Sequence, residues 1–146
     1  MSSFATGITV IACESPEGIR AMTASAVMSG SLNPPMIVIC IGKSARLHEH
    51  LVHAGAFGVS FLSDEQQALS QHFAGQAQTD TLPAFEVQRG APVLHDALTR
   101  VVAQTEYVYD CGDHSLFVGH VISAEQPGGR PLVHYSGRYC QLSFSA

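Results

Sequence analysis

The sequence predicts a mainly β domain with a few helices, in which six or more short strands form a closed or partly closed antiparallel barrel. Three observations carry this reading. Short β-branched runs bounded by Gly, Pro and Asp recur along the chain, the stretch Leu98 to Tyr109 alternates with period two, and helical periodicity is confined to two brief segments. With 146 residues, 46% hydrophobic and 13% charged, the chain is expected to be one domain, residues 1–146, large enough to bury most of its apolar surface.

Ile8 to Cys13 is a β-branched strand, and the Glu14-Ser-Pro-Glu-Gly18 turn after it starts a hairpin. Ala21 to Leu32 mixes small polar and apolar residues and ends at Asn33-Pro-Pro35, which forbids continued helix, so it reads as extended or irregular. Met36 to Ile41 is a buried strand. Ala45 to His53 places Leu47, Leu51 and Val52 on one helical face before Gly55 stops it. Ala56 to Leu62 returns to strand, and Asp64 is positioned to cap a helix carrying Ala68, Leu69 and Phe73 to Gly75. A Gly- and Gln-bearing connection then leads to Phe85. In Leu98 to Tyr109 one face carries Arg100, Gln104 and Glu106 and the other Val101, Ala103, Tyr107 and Tyr109. Ser115 to Glu125 pairs back on it, Pro127 to Pro131 is a further turn, and Leu132 to Tyr135 and Arg138 to Phe144 supply two last strands.

Composition excludes several function classes. A formal charge of −5, a pI near 5.8 and only seven Lys plus Arg argue against a surface that tracks nucleic acid. The longest apolar run, Met36 to Ile41, falls far short of the about 20 residues that cross a bilayer, and Met1-Ser-Ser-Phe4 has no basic leader character. A soluble cytoplasmic protein without membrane partners is expected. Cys13, Cys40, Cys111 and Cys140 are too scattered for a disulfide framework and contain no C-x-x-C, so they read as free thiols.

Individual motifs narrow the chemistry. Cys40-Ile-Gly-Lys-Ser44 looks like the tail of a phosphate loop, but Ile37 stands where the full pattern needs Gly, so an NTPase is not supported. The physics of the site survives: amides at Ser44, Ala45 and Arg46 would open a helix, with Lys43 and Arg46 adding positive charge, and one phosphate fits there. The alternative is an N-cap serine with two solvated bases. No G-x-G-x-x-G and no G-x-S-x-G occurs. Leu47-His-Glu-His-Leu-Val-His53 is not HExxH, because Val52 occupies the second His position, and no metal site is expected. The triplet Gly112-Asp-His114 sits between two strand-like runs, where His114 is open to catalytic, metal-ligand, cofactor-contact and turn roles.

Taken in order, Phe4-Ala-Thr-Gly-Ile-Thr-Val-Ile-Ala12, Met22-Thr-Ala-Ser-Ala26, Ser31-Leu-Asn-Pro-Pro35, Phe73-Ala-Gly75, Gly90-Ala-Pro-Val-Leu94, Gly112-Asp-His-Ser-Leu-Phe-Val-Gly119 and Gly137-Arg-Tyr139 resemble the short-chain flavin reductases, the NAD(P)H-dependent FMN or FAD reductase components of two-component monooxygenases. The resemblance covers nearly the whole chain. It implies an FMN-binding split β-barrel of Greek-key type, a homodimer with flavin near the subunit interface, NADH or NADPH as hydride donor, and a monooxygenase that receives diffusible reduced flavin. By the same resemblance Met22, Thr23, Ala24, Ser25 and Ala26 lie along the isoalloxazine ring, and Lys43, Ser44, Ala45 and Arg46 lie near its phosphate. Phe73 joins the flavin site, His114 stands on the nicotinamide side, and Arg138 and Tyr139 close over the same region. Many relatives read Ser-Phe where this chain has Ala26-Val27, which leaves open FMN versus FAD and substrate versus prosthetic group. A flavin-binding electron carrier on the same barrel, and a haem-binding or pyridoxamine-phosphate-oxidase-like barrel, are the rival implications.

Overall fold

In the computed structural model, which describes residues 1–80 and 83–145, the two edge strands of the main sheet are neighbours in sequence. The strands are β1 (Thr6–Gly7), β2 (Thr9–Ser15), β3 (Gly18–Ala24), β4 (Val27–Leu32), β5 (Pro35–Gly42), β6 (Ala56–Phe61), β7 (Phe85–Gln88), β8 (Ala91–Leu94), β9 (Thr99–Cys111), β10 (His114–Glu125), β11 (Val133–Tyr135) and β12 (Arg138–Cys140). The helices are α1 (Arg46–Ala54) and α2 (Gln67–Phe73), the latter led by a short 3₁₀ turn at Asp64–Gln66. Seven strands form one antiparallel sheet in the order β3-β2-β6-β9-β10-β5-β4. Because β3 and β4 stand at opposite ends of that order yet are joined by Ser25 and Ala26 alone, the sheet curls until its edges meet. Those edges are not ladder-paired with each other among the described residues, so the barrel is split along a seam at residues 24–27. This is the expected fold class.

Strand pleating fills the interior. Ile37, Ile39 and Ile41 alternate inward from β5 and meet Ile11 and Cys13 of β2, Phe57 and Val59 of β6, and Phe117 of β10. Helix α1 stoppers the barrel, because Leu47 and Leu51, four residues apart, present one apolar face to that cluster. Gly55 ends the helix with φ 74°, a left-handed conformation that costs glycine little. Burial pushes the Cys13 thiol up to about 11, which keeps it a neutral core group at physiological pH.

A second layer covers only part of the outside. Ile8 and Val10 pack outward against Leu62, Leu94 and Leu132 beneath α2, and the β7–β8 hairpin lays Ala91 and Val93 on Val102. Arg100, whose side chain is 14% exposed, clamps this layer by bonding Glu86 of β7 at 3.0 Å and Glu125 of β10 at 2.5 Å. The outer face of β4, β5, β10 and the far end of β9 has no such cover among the described residues. Cross-strand register there lines up Tyr107, Val118, Val38 and Met28 in one row and Tyr109, Leu116 and Cys40 in the next, and the two tyrosine rings stack at 5.7 Å.

Several sequence expectations are corrected. Of the two readings of Ala21 to Leu32, extended holds and irregular does not: the stretch supplies most of β3 and all of β4, the two edges of the barrel. Asp64 does not cap the second helix: Ser63, in a reciprocal box with Gln66, caps the 3₁₀ turn that leads into it, Gln66 is the N-cap of α2, and α2 ends at Phe73. The last strand stops at Cys140 instead of Phe144, and the β7–β8 hairpin is an addition that periodicity did not reveal. The connection expected between Gly75 and Phe85 lies partly outside the described residues. Among the described residues no helix is long and apolar enough to cross a membrane.

Candidate functional site

Three parts of the chain meet at one end of the barrel: the seam, the loop into α1 and the tip of the β9–β10 hairpin. The hairpin turns through Gly112 and Asp113, with Gly112 at φ 65°, where a side chain would be strained. His114 is therefore the first residue of β10 and not part of the turn itself, and it faces Gly42, the last residue of β5. A β-carbon at Gly42 would stand 3.6 Å from the His114 Nε2, so the imidazole lies over bare backbone. On its other side the ring Nδ1 bonds the Asp113 Oδ1 at 2.8 Å. That hydrogen bond, then the charge of the imidazolium form, holds the Asp113 carboxyl below its usual range. An ionised Asp113 only accepts, which assigns the proton to Nδ1 and turns Nε2 toward the loop.

The loop Gly42–Arg46 is bound to the hairpin tip. The Lys43 amide donates to the Asp113 carbonyl at 2.8 Å, and the Lys43 ammonium pairs with Asp110 at 3.0 Å. The expectation of three available amides is corrected, because the Ala45 amide is given to the Gly42 carbonyl at 3.0 Å. Ala45, not Ser44, is the N-cap of α1, and no side chain caps the helix. The Ser44 amide has no acceptor among the described residues, and the helix begins with the exposed Arg46.

At the seam, side chains and backbone divide the work. Met22 and Ala24 point into the barrel core, and the Thr23 hydroxyl donates to the Ser70 carbonyl at 2.6 Å. The Ala24 and Ala26 carbonyls accept from the Thr9 hydroxyl and the Cys40 amide. The amides of Ser25 and Ala26 have no acceptor among the described residues. These two small residues line a cavity of about 490 Å³ with Phe4, Cys40, Leu116 and His134. Burial, aided by Cys111 and Asp113, raises the Cys40 thiol above its ordinary value.

Arg46 and Phe73 converge on a different cavity, of about 590 Å³, between β3, α1 and α2, which they share with Arg20 and His50. Arg20 lies between the Glu14–Gly18 turn and the stretch that starts at Ala21, so no sequence pattern singled it out; it belongs to the edge strand β3. It bonds Glu17 at 2.5 Å while its buried Nε has no hydrogen-bond partner among the described residues. Tyr139 does not open onto either cavity. Its hydroxyl shares a 2.9 Å hydrogen bond with buried Ser70, which also holds Thr23, and its ring meets His134 edge-on at 5.6 Å. Tyr139 thus braces the seam from behind, and Arg138 is exposed beside it. Chemically, the site offers free backbone donors beside small side chains, three cations at Arg20, Lys43 and Arg46, and one imidazole with a fixed orientation.

Residues 1–143 match the family model of the flavin reductase like domain. The NADH-dependent flavin reductase StyB of Pseudomonas fluorescens is 38% identical over 141 residues, covering 93% of this chain and 82% of its own. The reductase component of 4-hydroxyphenylacetate 3-monooxygenase from Thermus thermophilus is 38% identical over 143 residues, covering 97% and 92%. Among solved structures, the flavin reductase PheA2 in its native state gives a TM-score of 0.95 at 39% identity, over 99% of this chain and 94% of the other.

Proposed function

The chain belongs to the flavin reductase like family, and from that premise we propose that it catalyses NADH-dependent reduction of FMN or FAD and hands the reduced flavin to a partner monooxygenase. The observation that carries the reading is the seam, where Ser25 and Ala26 present unpartnered amides beside small side chains. A planar ring with acceptor atoms along its edge fits there, and a terminal phosphate fits the cavity lined by Arg20 and Arg46, with Lys43 on the same loop as Arg46 but paired with Asp110. When bound, flavin supplies the hydride-accepting centre, with NADH as donor. Residues Met22–Ala26 would form the wall for the ring, with Ser25 and Ala26 in contact and the other three supporting from the core side. Lys43, Ser44 and Arg46, with Arg20, would hold the phosphate. Phe73 would bound the phosphate arm, His114 would orient the nicotinamide, and Arg138 and Tyr139 would close the region, Tyr139 through Ser70. Hydride transfer requires contact distance and exclusion of water, so positioning is the protein's contribution.

The purified protein is expected to oxidise NADH when FMN, FAD or riboflavin is added and not otherwise, measured by loss of nicotinamide absorbance. Turnover with every flavin equal to the flavin-free blank would leave a non-catalytic flavin carrier as the better reading. A second expectation concerns the phosphate. Arg46→Ala should weaken FMN binding by about 1.5 to 3 kcal/mol through loss of a charge-assisted contact, with riboflavin little affected. Fluorescence titrations showing equal losses for both flavins would reject the assignment.

We further propose that residues 1–146 act as a single domain, that the protein works in the cytoplasm, and that two copies associate through the uncovered outer face of β4, β5, β10 and β9. Free Cys13, Cys40, Cys111 and Cys140 suit a reducing compartment. The paired rows ending in Tyr107, Tyr109 and Met28, at 46%, 52% and 61% exposed, form a contiguous apolar patch that borders the Ser25–Ala26 cavity. Val118→Lys, in the middle of that patch, is expected to give monomers in analytical ultracentrifugation where the native chain gives dimers; a monomeric native chain would reject the dimer.

A further inference from the structure

We propose that the hydrogen bond between His48 and Ser115 is a positioning device for flavin reduction: it fixes the tip of the β9–β10 hairpin against α1 and so sets where His114 stands above Gly42. The proposal rests on the reading of the chain as a flavin reductase with His114 beside the nicotinamide.

The geometry begins with the pleat of β10, which sends His114 outward and its neighbour Ser115 inward, where Ser115 is 3% exposed. His48, in the first turn of α1, reaches it with Nε2 at 2.8 Å from the Ser115 Oγ, and its ring lies edge-on to Phe117 at 5.4 Å. A hydroxyl at an inward strand position costs stability unless it is bonded, and an apolar residue there would extend the core directly. What the pair adds is direction, since a hydrogen bond fixes an angle where an apolar contact does not.

The hairpin tip needs such a fixture. β6 pairs with β9 only as far as Gln104, so from Glu106 to Cys111 the outer edge of β9 has no strand beside it among the described residues. The tip is held from one side, by β5, by the Lys43 amide on the Asp113 carbonyl, and by the Lys43–Asp110 pair. That ion pair is weak, because Asp110 is 87% exposed and solvent screens it. The His48–Ser115 bond is the sheltered contact, and it joins the strand that carries His114 to the helix that follows Lys43 and Ser44. Leu47 and Leu51 anchor that helix in the core, so loss of the bond should move the hairpin and leave α1 in place.

The test uses Ser115→Ala, His48→Gln, His114→Ala and the Ser115→Ala/His114→Ala double variant. In flavin-free protein, hydrogen exchange at the Lys43 amide and at residues 110–116 should accelerate about 3- to 30-fold in Ser115→Ala, while the Leu51 amide in α1 keeps its native protection. Stopped-flow reduction of bound FMN by limiting NADH should slow about 3- to 30-fold, with FMN affinity unchanged. His48→Gln, which can still reach the hydroxyl, should fall between, and the double variant should be no slower than His114→Ala alone. Native reduction and exchange in Ser115→Ala, additive losses in the double variant, or loss of protection at Leu51 as well would each overturn the proposal. If the native chain fails to reduce flavin at all, the assigned reaction falls, and exchange at Lys43 still decides whether the bond holds the tip.

Discussion

His114→Ala is expected to slow reduction of bound flavin by NADH about 10- to 100-fold, the range for losing one positioning group at a hydride-transfer site, while flavin affinity stays nearly native. The split follows from placement. Ser25 and Ala26, and the cations Arg20 and Arg46, line cavities that His114 does not line, while the imidazole stands over Gly42 with Nε2 directed away from Asp113. A purely structural histidine predicts the opposite pattern: a small loss of stability with the lost, solvent-screened hydrogen bond, and reduction per folded molecule unchanged. Asp113 supplies an independent check. Its folded pKa is depressed, so its share of the pair's stability is present above its unfolded value and is lost as pH falls through the folded one. Removing His114 should return the carboxyl upward, visible by NMR titration of Asp113. An unaltered reduction rate at limiting NADH, beside a lowered melting point, would assign His114 to the fold alone.

How much of this was legible depended on whether a residue's signal was local. Helix α1 could be placed because Leu47, Leu51 and Gly55 carry period and stop signal within ten residues, and β5 because Ile37, Ile39 and Ile41 alternate without interruption. β3 and β4 could be read only as extended or irregular, since each is an edge strand with a single ladder partner, and β4 carries a register shift between Ser29 and Ser31. Their small residues have little hydrophobic pattern to show, yet that same smallness makes the seam. Gly112-Asp-His114 announced a tight turn, but only the register that sets His114 opposite Gly42 showed what the imidazole faces. Ser115 and His48 lie 67 residues apart with no shared motif, so nothing in the chain's local chemistry joined them. Phe73 and Tyr139 were legible only through the resemblance; the fold gives Tyr139 a bracing bond to Ser70.

Gly58→Ala tests a part of the architecture that periodicity missed, the β7–β8 hairpin lying on β6. A β-carbon at Gly58 would fall 1.9 Å from the Pro92 carbonyl oxygen and 2.9 Å from the Val93 Cγ1. The first contact is backbone, so no rotamer change relieves it. Either the hairpin lifts, exposing Ala91, Val93 and Val102, now all at most 1% exposed, or β6 shifts against its two ladder partners. Both routes cost about 3 kcal/mol or more, and the melting temperature should drop by about 10 °C. Gly7→Ala is the matched control, since a β-carbon there meets nothing within 4 Å, and it should melt within about 2 °C of the native chain. The clash lies under the second layer, away from His114 and the seam, so the folded fraction of Gly58→Ala should reduce flavin at the native rate per molecule at low temperature. Were Gly58→Ala to melt with the control, β8 could not lie as close to β6 as the Pro92 contact requires, and the clamp that Arg100 forms from β9 to Glu86 would have to be redrawn with it.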